Sequence, residues 1–253
     1  MEIDPHARSG QKIFTGFDES MHVIEEEPKL DEHPEMWTTW LCCDPHPRRA
    51  HAFLWMCVSK FGDFVIPYSW WPEEENIERR RNDESPLLIR EYSERLKKVH
   101  ESQVMFPAPY QMLMDQAGKN FNTDEERNFF DGYRDEGIYF QPAKKNRGYA
   151  GYDKINKVLT PVKVSMGTGT EVIKPRLKIV RHGNGTLIQQ LRDLRWKKLK
   201  GVALLEKDEP GEPIEKDHHL VDCLSYILMD DPKYIDRTNG LHPYTPIYPA
   251  LGY

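Results

Sequence analysis

The chain has 253 residues, 38% of them hydrophobic and 11% aromatic, with a formal net charge of −6 and a mean hydropathy of −0.73. That is apolar material for one large domain or two small ones, while no apolar run approaches the ~20 residues a membrane span needs. The opening MEIDPHARSG lacks the charged-then-apolar pattern of a secretion signal, and the four cysteines (42, 43, 57, 223) form no C-x-x-C pair, which argues against a structural zinc site. A soluble, cytoplasmic chain with reduced thiols is expected.

The charge is unevenly spread. Residues 1–35 carry ten acids against three bases and contain Pro5, Pro28 and Pro34, so they read as an acidic extended arm or linker with one short apolar patch, KIFTGF. The compact domain is expected over 36–253. WTTWLCCD, ending at Asp44, reads as a first strand, HAFLWMCVS as a second, KFGD as a turn and FVIPYSWW as a third. Short connections make these an antiparallel meander. Cys42 and Cys43, being adjacent in a strand, point to opposite faces.

SPLLIREYSERLKKVHES follows as a helix, with Ser85 placed to cap and Pro86 in its first turn. YQMLMD is a short strand ending at Asp115. TDEERNFFDGYRDEG reads as a helix opened by a Thr123/Glu126 capping box and closed by Gly137. IYFQPA is a further strand, RGYAGYDKINKVL a helix, PRLKIVRH a strand and NGTLIQQLRDLRWKKL a helix. The last helix is DHHLVDCLSYILM, with Asp217 as its expected N-cap. A tail rich in Pro, Tyr and Gly runs from about 232. Strands alternating with helices after a meander give an α/β fold: a mixed central sheet, antiparallel and then parallel, with helices on both faces.

Three acids fall in comparable places. Asp44 and Asp115 close strands, and Asp222 lies near the start of the last helix. Strand ends of an open sheet face the crevice where ligands bind. Three carboxylates brought into one crevice repel each other, and a divalent cation relieves that repulsion. Oxygen ligands suit Mg²⁺ or Mn²⁺; His219, three residues before Asp222 and on the same helix face, adds a nitrogen and tilts the choice towards Mn²⁺. Each residue also has a plainer reading. Asp44 before Pro45 starts a turn, Asp115 opens a loop, and His219 and Asp222 lie on a solvated helix face. His218 reads as a surface residue. The stretch 174–200 holds nine Lys or Arg against Asp193 alone, a local excess suited to phosphates.

Taken in order, SGQKIFTGFDESMHVIEEE, CCDPHPRRAHAFLWMCVSKFGDFVI, MLMDQAGKN, KPRLKIVRHGNGTLIQQLRDLRW and DHHLVDCLSYIL resemble the C-terminal nuclease domain of phage terminase large subunits, which has an RNase H-like fold. The resemblance implies that Asp44, Asp115 and Asp222 are catalytic metal ligands, with His219 joining them and Asp44 bridging two Mg²⁺ or Mn²⁺ ions. It implies a metal-dependent endonuclease that cuts concatemeric double-stranded viral DNA during genome packaging, in the cytoplasm of an infected cell. Lys144, Lys145, Arg147, Lys174, Arg176, Lys178 and Arg181 are the expected contacts to backbone phosphates, positioning DNA without reading its sequence. No G-x-x-x-x-G-K-[ST] loop occurs, so the packaging ATPase is expected as a separate domain or subunit, beside the portal and the small terminase subunit. Gln116 stands where the family commonly has proline, and His218 where many members have a further acid. The alternatives left open are another RNase H-like resolvase or transposase-type nuclease, and a non-catalytic packaging adaptor.

Overall fold

The structure, a computed structural model, describes residues 11–26, 28–30, 32–101, 107–120, 127–144, 149–165, 171–197, 213 and 217–236. The meander forms as its sequence predicts: β2 (Trp37–Asp44), β3 (Ala52–Ser59) and β4 (Phe64–Trp70) pair antiparallel. Around it are β1 (Val23–Ile24), β5 (Pro109–Met114), β6 (Gln141–Pro142) and β9 (Leu177–Val180). These complete a seven-stranded sheet in the order β1-β9-β4-β3-β2-β5-β6. β5 joins β2, β6 joins β5, β9 joins β4 and β1 joins β9, all parallel.

Period-two alternation divides the strand side chains between two cores. Trp40, Cys42, Leu54, Met56, Ile66, Leu113 and Ile179 face one side. There they meet α5 (Ala150–Leu159), α6 (Gly185–Asp193) and α7 (His219–Met229). Leu41, Cys43, Phe53, Trp55, Cys57 and Met112 face the other side, covered by α3 (Ile89–Glu101) and α4 (Phe129–Asp135). Helices therefore lie on both faces of the mixed sheet. All four cysteines are buried and free, and Cys42 and Cys43 fall in opposite cores. Among the described residues no helix is long and apolar enough to cross a membrane.

Several elements depart from their sequence patterns. The third helix starts at Ile89 rather than near Ser85, because buried Asn76 accepts the Leu87 N–H and the Glu91 side chain accepts that of Leu88. Asn76 belongs to α2 (Glu73–Arg81), a helix so polar that no apolar period announces it. Its three leading glutamates and three closing arginines suit the helix dipole. α4 is shorter than expected and is capped by Asn128; Thr123 and Glu126 lie outside the described residues. Gly137 does follow it with φ of +79°, a left-handed stop that glycine adopts without strain. IYFQPA contributes only two strand residues, and the helix opened by Asn184 ends at Asp193. An exposed hairpin, β7 (Val162–Ser165) with β8 (Glu171–Lys174), had no counterpart in the sequence reading.

The acidic N-terminal stretch is packed where it is described. Ile13 and Phe14 are buried in the helical core, α1 (Glu19–His22) follows, and β1 extends the sheet beside β9. His22 is fully buried, with Nε2 2.9 Å from the Leu159 carbonyl. KIFTGF is thus the sequence signal of this docking. At the other end, Ile235 N–H donates to Thr38 Oγ1 at 2.8 Å and the Tyr234 hydroxyl to the Glu35 carbonyl at 2.7 Å.

Two buried histidines make folding pH-sensitive. His100 accepts the Trp55 indole N–H at 3.0 Å, and burial pushes its pKa down to about 4. His51 stacks on Tyr92 with its Nδ1 2.7 Å from the Tyr133 hydroxyl, and burial pushes it down to about 3. Unfolded, each titrates near 6.5, so below that pH the unfolded chain binds protons that the folded chain refuses. Stability is therefore full above about pH 6.5 and falls on acidification, by about 2 kcal/mol per histidine at pH ~5. Urea unfolding of the wild type and of His100→Gln, which keeps an acceptor for the indole, checks this. The variant should lose about 2 kcal/mol less between neutral and mildly acidic pH; an equal loss in both would remove His100 as the cause.

Candidate metal centre

The register of two strands brings the first two acids together. β2 and β5 run parallel with Cys43 beside Met114, so Asp44 and Asp115 leave neighbouring strands side by side, ~4.8 Å apart in backbone. The Asp115 N–H donates to the Cys43 carbonyl at 3.2 Å, carrying the ladder to that point. Alternation puts both on the sheet face covered by α7. Past Asp115 the chain turns through a 3₁₀ segment, Gln116–Lys119, with the Asp115 carboxylate accepting the Ala117 N–H at 3.2 Å. Gly118 packs where any Cβ would meet Met114 Sδ at 3.0 Å and Pro45 Cγ at 3.1 Å, so the turn sits tight against the chain leaving Asp44.

α7 brings the other two groups. Leu220, Val221, Cys223, Leu224, Ile227 and Leu228 bury it against the sheet and α5, leaving His219 and Asp222 at its N-terminal end beside Asp44. Asp44, His219 and Asp222 each offer a ligand atom, all within 4.8 Å of one another. His219 Nδ1 lies 2.7 Å from Asp44 Oδ2, and its ring is flanked by Trp71 at 5.4 Å and His46 at 5.6 Å. Asp115 is outside this tight trio, yet its charge reaches both other carboxylates. Asp217 is not the helix cap: it pairs with Arg49, and His218 occupies the cap position with its Nε2 3.5 Å from Asp222 Oδ2.

The electrostatics are those of crowded anions. Burial pushes the Asp44 carboxyl up; the His219 hydrogen bond and charge pull it back, and Asp115 pushes it up again. Asp222 is raised well above the usual carboxylate range, first by burial and then by the charges of Asp44 and Asp115. Its side chain nevertheless remains 25% exposed, so the cluster opens to solvent rather than being sealed. The Tyr152 hydroxyl donates to Asp222 Oδ1 at 3.4 Å, and burial raises the pKa of that phenol. Tyr226 is likewise raised by burial and then by the charges of the three carboxylates. Two oxygen donors and one nitrogen in reach of each other, with a third carboxylate adjacent, fit a hard divalent cation such as Mg²⁺ or Mn²⁺.

Sequence reasoning missed Tyr152, Tyr226 and His46. Tyr226 follows Asp222 by four residues, a same-face spacing that was open to notice. Tyr152 carries no such signal, because only the packing of α5 on α7 brings it there.

The basic residues expected to hold phosphates are scattered. β9 lies three strands from β2, ~14 Å across the sheet. Lys174 and Arg176 precede it at the end of the sheet away from Asp44, where Lys174 pairs with Asp63 at 2.7 Å and Arg176 lies over the Phe64 ring. Lys178 sits within β9. Arg181 follows β9 at the near end, but it pairs with Glu25 at 2.5 Å and Glu19 at 3.6 Å. Lys144 pairs with Asp230 at 3.2 Å. Lys145, Arg147, Lys198 and Lys200 lie outside the described residues.

No protein-family model matches the chain, and no curated protein matches it in sequence. Solved structures do match. The large terminase of a thermophilic bacteriophage superposes with a TM-score of 0.59 at 16% identity, over 87% of this chain and 45% of that one. This chain thus spans less than half of the thermophilic phage protein. The P22 large terminase nuclease domain superposes with a TM-score of 0.53 at 12% identity, over 88% of this chain and 94% of that one. The fold of this chain is therefore that of the nuclease domain of phage large terminases.

Proposed function

We propose that the chain is a metal-dependent endonuclease that cleaves double-stranded viral DNA during genome packaging, with little sequence specificity. The observation that carries the reading is the meeting of Asp44, His219 and Asp222, with Asp115 alongside, at the strand ends of this fold. Asp44, Asp115, Asp222 and His219 are the residues that would hold Mg²⁺ or Mn²⁺. When bound, such ions supply Lewis acidity, acidifying the attacking water and stabilising the departing 3′ oxygen.

The chain's own groups prepare that chemistry. The His219–Asp44 hydrogen bond fixes both side chains in one orientation, with Trp71 and His46 packed beside the imidazole. Tyr152 and Tyr226 stay protonated beside the carboxylates, and the Tyr152 hydroxyl donates to Asp222, steadying it. The partial exposure of Asp222 leaves room for a phosphodiester to approach.

DNA is the partner of this reading, together with an ATPase domain or subunit, a portal and a small terminase subunit, in the cytoplasm of an infected cell. The thermophilic phage's large terminase, of which this chain matches under half, has been solved with ADP and with ATP-γ-S, which supports a nucleotide-driven partner for the present chain. Plasmid digestion with Mg²⁺, Mn²⁺ or chelator tests the function. Cutting should need a divalent ion, cease in chelator and weaken steeply with salt. A plasmid left intact under every ion condition, with calorimetry showing no Mn²⁺ binding, would sink the proposal.

A further inference from the structure

A pocket of carboxylates repels the phosphodiester it is meant to cut, so cations must stand close to it. The segment that leaves β2 directly after Asp44, PHPRR (45–49), holds them. We propose that this loop is the phosphate clamp of the site, with Arg48 and the Nε2–H of His46 binding non-bridging oxygens of the strand that enters the pocket. The inference rests on the nuclease reading above and names the surface that would grip the substrate.

The loop is rigidly built. His46 Nδ1 accepts the backbone N–H groups of both Arg48 and Arg49, each at 3.1 Å. A nitrogen that accepts two hydrogen bonds carries no proton, so the imidazole proton resides on Nε2. His46 therefore presents a donor, which suits a phosphate oxygen, and not a lone pair for a metal. From the other side, the Arg80 guanidinium donates to the Arg48 carbonyl at 2.9 Å and pairs with Glu73 at 3.0 Å. Glu73 in turn accepts the Ala50 N–H at 2.6 Å. Arg49 is tied to Asp217 at the threshold of α7. A loop held at so many points loses little entropy when a ligand arrives.

Position and charge agree with that role. The His46 ring is 5.6 Å from that of His219, edge to face, two residues on from Asp44. The Arg48 side chain is exposed and has no ion-pair partner among the described residues. The cations of the 174–181 stretch are less suited: Arg181 is neutralised by Glu19 and Glu25, and Lys174 by Asp63 at the far end of the sheet.

The test is binding of a short fluorescent DNA duplex, followed by anisotropy across a salt series in Ca²⁺. It is run beside Mn²⁺ calorimetry and plasmid cutting on the same preparations. Arg48→Ala should weaken duplex binding about tenfold and lower the salt slope by about 0.9, the loss of one phosphate contact. Arg48→Lys should recover most of the affinity. His46→Asn, whose side-chain oxygen can still accept the N–H two residues on, should weaken duplex binding several-fold while the chain still binds Mn²⁺. The clamp is overturned if Arg48→Ala binds as the wild type, or if Lys174→Ala/Arg176→Ala loses binding instead. Loss of Mn²⁺ binding in His46→Asn would make His46 a metal ligand and overturn its part. A wild type that binds Mn²⁺ and cuts, beside an indifferent Arg48→Ala, refutes the clamp alone; a wild type that does neither refutes the nuclease reading as well.

Discussion

Asp44→Ala should reduce divalent-ion-dependent DNA cleavage by roughly three orders of magnitude or more while the domain stays folded. The size follows from the centrality of Asp44. It touches His219 directly, shares the 4.8 Å group with Asp222, and adjoins Asp115 across a parallel strand pair. Folding should survive because the Asp44 backbone, paired opposite Ala52, keeps its place in the ladder whatever the side chain. Removing an anion from a crowded cluster also relieves repulsion, offsetting the lost hydrogen bond to His219. Asp44→Asn is the companion variant: nearly the same shape, no charge, and the same loss of cutting expected. Initial rates of supercoiled-plasmid nicking, with circular dichroism of each variant, measure both halves. Wild-type cutting by either variant would dismiss the site.

Much of this centre was legible in the sequence because strand geometry is local. WTTWLCCD reads as a strand from its composition, and its last residue must stand at a strand end. MLMD gives Asp115 the same position, and the apolar spacing of the last helix sets His219 and Asp222 on one side. Convergence was expected from strand-end placement and the family resemblance, not from local pattern alone. It depends on β5 pairing with β2 rather than with β4, and on α7 crossing the face that Asp44 shares with Cys42, both long-range choices. The pairing of the basic run was harder to read for a different reason. A run of lysines and arginines shows charge along the chain, but not the acids that fold against it, and here Glu19, Glu25 and Asp63 come from distant segments. The acidic N-terminal stretch likewise reads as unpaired charge, while its opposite numbers sit in 181–192. α2 escaped notice because its stability rests on ion pairs and on the buried Asn76 rather than on an apolar stripe.

Asp222→Asn should make the metal-free chain more stable, by about 1–3 kcal/mol, and at the same time remove its stabilisation by Mn²⁺. The sign of the Asp222 shift sets the direction of the effect. Its folded-state pKa lies well above the ordinary value of 3.8, driven by burial and then by Asp44 and Asp115. A raised carboxyl favours folding below the unfolded pKa and loses that contribution as pH rises through the folded one. At neutral pH without metal, Asp222 is therefore a liability that an uncharged isostere removes, while Asn can still accept from the Tyr152 hydroxyl. The wild type recovers its loss only when a cation binds: at a hundredfold excess over Kd, that linkage is worth ~2.7 kcal/mol. The two melting curves should thus cross over, with the variant melting higher in chelator and the wild type melting higher in saturating Mn²⁺. The chelator difference should shrink as pH is lowered towards the carboxylate range, because the wild-type Asp222 then takes up its proton. A variant that is less stable in chelator, or that gains as much from Mn²⁺ as the wild type, would mean that the charge of Asp222 is not what the site is built to balance.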